Sequence, residues 1–202
     1  MTANTMNTSN NFSQREAAED IFFGQVVINW ARWFVIAAGV AMVMILTETP
    51  NELAVGITPI VGLMVVNFYL HGRRLAQQPA NKNLITISSV LDLALITTVV
   101  AIGTKTSAIG LDNQFYVAYF PVIAAFSFVM PRKLSAVYTL VAMAAYAVTC
   151  FTVNERVISA DSSIHWDQME SVITRLIVMG AVGALASYFW RVQRDRRRIA
   201  VD

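Results

Sequence analysis

Polar residues in this chain are gathered into short segments, and the stretches between them are apolar on every side. Six such stretches stand out: Val27–Leu46, Leu53–Leu70, Leu84–Ile102, Phe115–Met130, Leu134–Val153 and Val172–Trp190. A helix takes about 20 apolar residues, within a range of roughly 17–25, to cross a hydrocarbon core. The pattern therefore predicts six transmembrane helices, the fourth being short unless Asn113 and Gln114 extend it. Barrel strands would alternate with a period of two, and these runs do not. The expected fold is all-α, a polytopic membrane bundle over residues 22–191. A polar, disordered cytoplasmic tail (1–21) precedes it and a basic helical extension (192–202) follows. Pro59 and Pro121 predict kinks in the second and fourth spans.

Composition strengthens this picture. Residues are 56% hydrophobic and only 14% charged, where a soluble domain carries about a quarter charged residues. The basic residues then set sidedness. If the spans alternate, Arg15, Arg73, Arg74, Lys82, Arg132, Lys133, Arg191, Arg194, Arg196, Arg197 and Arg198 share one face, against Lys105 and Arg156 on the other. The excess of Lys and Arg in cytoplasmic loops puts both termini in the cytoplasm. Trp30, Trp33 and Trp190 then fall at the inner boundary and Trp166 at the outer one. The first residues lack the basic start and short apolar core of a signal peptide. The single cysteine, Cys150, excludes a disulfide framework.

Candidate chemistry starts from charges inside the apolar runs, because burying one in a bilayer costs at least about 2.5–3.5 kcal/mol. Asp92 stands about 12 Å into span three from its cytoplasmic end, too deep for a short side chain to reach water. Arg32 is about 8 Å into span one from the same side, and Asn67 is at similar depth in span two. An Arg32–Asp92 pair, with Asn67 or Asn29 nearby, would satisfy both charges. It would either lock three helices in register or form a ligand, ion or proton site; alternatively, Arg32 reaches the interface between its flanking tryptophans and Asp92 stays protonated. Arg175, at the outer end of span six, reads as an interfacial anchor or a partner for Glu170.

The two histidines lie a bilayer apart, so they share neither a haem nor a metal. No metal spacing, phosphate loop or nucleophile elbow occurs, so no catalytic residue, metal or cofactor is expected. His71 is a minor candidate for singly ligating a pigment. The segment 154–171 offers Asp161, His165, Trp166 and Asp167 as an outer recognition surface, with residues 164–171 forming a short interfacial helix before span six. Gly180, Gly183, Ala184 and Ser187 place small residues on span six for close helix packing, either within the bundle or across a dimer. Arg191, Arg194, Arg196, Arg197 and Arg198 would meet anionic lipid or a partner. Leu185, Val192 and Ile199 stand seven apart, as heptad positions would if span six ran on into the cytoplasm.

Several segments carry a resemblance. The runs Val66–Leu70 and Leu91–Thr97, then Tyr116–Lys133 with Tyr138 and Thr139 beyond, resemble the six-helix membrane input domain of bacterial sensor histidine kinases. In that family span six continues through a charged helix into a dimerisation and phosphotransfer domain and an ATP-binding domain. This sequence ends at Asp202 with no phosphoacceptor histidine and no ATP-binding boxes. The resemblance thus implies a non-catalytic sensory module of the bacterial inner membrane, without the kinase core and homodimeric through span six. Two other functions fit the residues: an accessory subunit of a larger respiratory or photosynthetic complex, and a small transporter using the Arg32, Asp92 and Asn67 region. The expected surroundings are lipid and other membrane subunits or a second copy, with no nucleic acid.

Overall fold

The computed structural model describes residues 26–45, 49–76, 82–102, 110–153 and 166–199, and these are helical with no strand among them. The expected N-terminal tail lies outside them, as do Asp161, His165, Lys105 and Arg156. In chain order the helices are α1 (Val26–Ile45), α2 (Pro50–Leu75), α3 (Lys82–Ile102), α4 (Tyr119–Val129), α5 (Arg132–Val153) and α6 (Trp166–Ile199). Two 3₁₀ turns, Gly110–Asp112 and Gln114–Ala118, lead into α4. All but α4 are long and apolar enough to cross a membrane.

Local chemistry explains the boundaries. Thr49, Pro50 and Glu52 start α2 three residues before its apolar run. The Thr49 hydroxyl accepts from the Glu52 amide at 3.4 Å and proline occupies the first helical position. Pro59 lies within this helix, which continues through it. Between α4 and α5, Pro131 holds Met130 in an extended conformation (φ −97°, ψ 152°) and so ends α4.

Pro121, expected to kink the fourth span, sits where the 3₁₀ turn passes into α4. It falls in the first turn of α4, where a missing N–H costs nothing, just after the 3₁₀ turn. The 3₁₀ turn rises about 2 Å per residue against 1.5 Å for α-helix, so residues 114–129 reach about 26 Å and come close to spanning a bilayer despite their number. The expected separate helix at 164–171 is also corrected. From Trp166 onward these residues belong to α6, an unbroken helix of 34 residues.

The short helix is the centre of the bundle. Tyr119, Val122, Ile123, Ala125, Phe126 and Ser127 of α4 are buried, with α3, α5 and α6 packed around it. Side chains of α1 meet α2 through Trp33 and Phe68, whose rings stack edge-to-face at 5.4 Å. They also meet α4 at a small void that Ile28 shares with Val122 and Phe126. A central helix needs no polar face, which is why α4 is the most apolar of the set.

Candidate functional site

The apolar surroundings of the bundle make each polar contact inside it informative. Arg32 of α1 and Asp92 of α3 meet: Arg32 Nε donates to Asp92 Oδ2 at 2.6 Å, and both side chains are 2% exposed. Arg32 Nη2 and Asp92 Oδ1 have no protein hydrogen-bond partner. Beside them is a void of about 10 Å³, lined by Ile28, Ala31, Ser89, Val122, Ala125 and Phe126 as well as the pair. That is about the volume one water molecule occupies, so the pair offers no room for an organic ligand.

The third expected member stands apart from this bond. Asn67 is fully buried on α2, but neither of its side-chain polar atoms has a protein partner. Asn29 instead faces His71, with Nδ2 3.4 Å from the ring Nδ1, which joins the start of α1 to the end of α2.

Around the pair, hydrogen bonds run from helix to helix in one layer. Tyr138 of α5 donates its hydroxyl to the Ser89 carbonyl of α3 at 2.8 Å, and its ring stacks on Phe126 with centroids 4.0 Å apart. One turn before it, Ser135 Oγ donates to Ser127 Oγ of α4 at 2.7 Å and shares a second 2.7 Å bond with Ser187 Oγ of α6. Arg32–Asp92, Tyr138–Ser89 and the three serines thus tie α1, α3, α4, α5 and α6 together at the end of the bundle where Arg132 and Arg191 lie.

The small residues of α6 are placed within this framework. A Cβ on Gly183 would stand 2.5 Å from Thr139 Oγ1 and 2.8 Å from its Cγ2, so α5 and α6 approach as closely as they do because the position is glycine. Gly180 faces Met143 at ordinary contact distance, Ser187 joins the serine chain, and Ala184 is exposed. Trp166 is exposed at the start of α6. Asp167 and Arg194, Arg196, Arg197 and Arg198 lie on the α6 backbone, but their side chains are outside the described set. Among the described residues no three His, Cys, Asp or Glu side chains form a metal-binding group.

A second polar centre, at the opposite end, forms around Arg175, which the sequence reading placed at the interface or against Glu170 and whose partners it did not foresee. Arg175 points into the bundle: its Nη1 donates to the Leu111 carbonyl at 2.6 Å and to Tyr146 Oη at 2.8 Å, and the guanidinium lies 3.9 Å from the Tyr116 ring centroid. Gly110, at φ 60°, makes the turn that presents this carbonyl, a conformation that favours glycine. Asn113 completes the entry to α4. Its side chain caps the Phe115 amide at 2.8 Å and donates to the Val99 carbonyl of α3 at 3.0 Å. The signal for Arg175 was the one that marked Arg32, a charge in an apolar run. Arg175→Met is expected to lower stability by about 2–3 kcal/mol, combining lost charge-assisted bonds and ring contact. Arg175→Lys should recover less than half of that, because an ammonium cannot bridge two acceptors while stacking. Unfolding of both variants in mixed micelles checks this.

No family model matches the chain, and no curated protein or solved structure matches it.

Proposed function

We propose that this chain is a non-catalytic, six-span module of a bacterial inner membrane, with both termini cytoplasmic, that passes a signal out of the bundle through α6. The supporting observation is the shape of α6. It runs unbroken from Trp166 to Ile199, about 51 Å, while its apolar window closes at Val192. Hydrocarbon accounts for about 30 Å of that length. The seven residues beyond Val192, about 10 Å, carry the last basic residues onward as continuous helix. The hydrogen-bonded layer gives this helix a route to the rest of the bundle, because Ser187 of α6 joins Ser135 and Ser127, and Tyr138 links α5 to the helix bearing Asp92. The concentration of Lys and Arg at that end supports its cytoplasmic placement.

The test is a chimera in which Asp202 is joined to the catalytic core of a dimeric reporter kinase. One alanine inserted after Arg191 turns everything beyond it by about 100°, and four restore the face. Transmission by rotation or piston movement predicts reporter output that changes at least fivefold with one or two inserted residues and recovers with four. Output indifferent to all three insertions would overturn the proposal.

One observation favours a second reading, an accessory subunit of a larger membrane complex. Only 22% of the apolar windows of α2 and α6 is buried within the bundle, which leaves long apolar faces for neighbouring helices as well as for lipid. Proteins that co-purify in mild detergent in fixed ratio would select this reading.

A further inference from the structure

The membrane-facing groove between α5 and α6 has features that the signalling reading does not use. It encloses about 580 Å³ and has two chemically distinct ends. At one end are Arg132 and Arg191, both exposed, beside the hydroxyls of Ser135 and Ser187. From there it runs along small and apolar side chains to Gly180. Arg191 and Gly180 are eleven residues apart on one helix, hence about 16 Å. That is the depth of a single leaflet, half of a hydrocarbon core of about 30 Å.

We infer that this groove binds one anionic glycerophospholipid, with the phosphodiester between Arg132 and Arg191 and one acyl chain lying along α6 towards Gly180. Charge selects this occupant. A second copy of the chain would bring the same basic helix end against Arg132 and Arg191, and like charges at close range disfavour it. A zwitterionic lipid would gain the apolar contacts but lack net charge to set against two guanidinium groups. The heptad residues Leu185 and Val192 are not among those lining the groove, so a bound lipid and a partner on that stripe of α6 do not compete. The inference rests on the bilayer placement proposed above.

The test uses the full-length chain reconstituted from vesicles of equal phosphatidylglycerol and phosphatidylcholine, extracted in mild detergent, with bound lipid counted by native mass spectrometry. Wild type should retain about one phosphatidylglycerol per chain and little phosphatidylcholine. Arg132→Gln with Arg191→Gln should reduce that preference roughly 30-fold, in line with two basic groups near an anionic surface. Lys133→Gln, a basic neighbour absent from the groove lining, should leave it unchanged. Ala184→Trp, which fills the groove, should lower retention of both lipids. Equal retention of the two lipids by wild type, or an unchanged preference in the double variant, overturns the inference. So does displacement by millimolar inorganic phosphate, which would mark a free-anion site, and so does efficient disulfide cross-linking of Ala184→Cys between two copies. An alkaline carbonate wash separates the two levels. A chain released from membranes defeats the bilayer reading itself, whereas a retained chain without lipid preference defeats only the lipid site.

Discussion

Asp92→Ala is expected to lower the unfolding free energy of the purified chain by about 3–5 kcal/mol, the cost of removing one partner from a buried ion pair. The Asp92 carboxylate accepts the 2.6 Å bond from Arg32 Nε, and neither side chain is more than 2% exposed. Without it the guanidinium has no counter-charge, and reaching water would mean leaving the space between α1, α3 and α4. The opposite result is expected when both charges go together. Arg32→Met combined with Asp92→Leu keeps roughly the same volume and removes the desolvation penalty of two ions. Such replacements are often neutral or stabilising, so this double variant should lie within about 1 kcal/mol of wild type. Asp92→Asn keeps the shape and one acceptor and should fall between the two. Denaturant titration of all three in mixed micelles gives the comparison. A double variant as unstable as Asp92→Ala would show that the cost comes from packing at this position rather than from the stranded charge. The double variant also addresses function. If it folds but abolishes the insertion-dependent output of the α6 chimera, the pair acts in transmission; if output is retained, it serves register alone.

The residues that the sequence made legible are those whose energetic cost is visible one position at a time. An arginine and an aspartate inside apolar runs each demand a partner at any plausible depth, and two such demands on the same side of the bilayer are easily matched. Asn67 carried a weaker version of that demand, and burial leaves it without a protein hydrogen bond. Arg175 raised the same demand as Arg32, but its acceptors are a backbone carbonyl 64 residues earlier and a tyrosine hydroxyl. No pattern of residue types announces a carbonyl. The start of α4 was hidden for a different reason. Over a segment this short and largely apolar, a period of 3.0 cannot be told from one of 3.6, so the 3₁₀ turn at Gln114–Ala118 left no trace. At the start of α6 the difficulty was the reverse. Asp167, Gln168 and Glu170 precede the uninterrupted apolar run that starts at Val172, but nothing in them interrupts a helix, and α6 extends through them to Trp166. Hydropathy locates what lies in lipid, whereas helix ends are set by caps and prolines such as Thr49–Pro50 and Pro131.

Gly183→Leu is expected to have the second large effect, a loss of about 4 kcal/mol or failure to form the α5–α6 contact at all. The milder change to alanine shows why. In isolation, glycine to alanine favours a helix by about 1 kcal/mol, so local propensity predicts stabilisation. Against it stands a Cβ placed 2.5 Å from Thr139 Oγ1, 2.8 Å from Cγ2 and 3.2 Å from Cβ. The threonine cannot turn aside cheaply, because its hydroxyl is bonded to the Ser135 carbonyl at 2.9 Å and the branched side chain is stiff at χ1. Relief must then come from separating the helices, which also stretches the Ser135–Ser187 bond one turn away. Overpacking of this kind costs about 1–3 kcal/mol, so Gly183→Ala should be destabilising by up to about 2 kcal/mol after the propensity gain. Thr139→Ala deletes the two nearest atoms and leaves only the 3.2 Å contact. Combined with Gly183→Ala it should recover about 1 kcal/mol relative to additivity, a coupling of the size that touching residues show. Additive losses in that cycle would mean that α6 does not press on α5 at this point, and that its small residues serve a contact outside the chain.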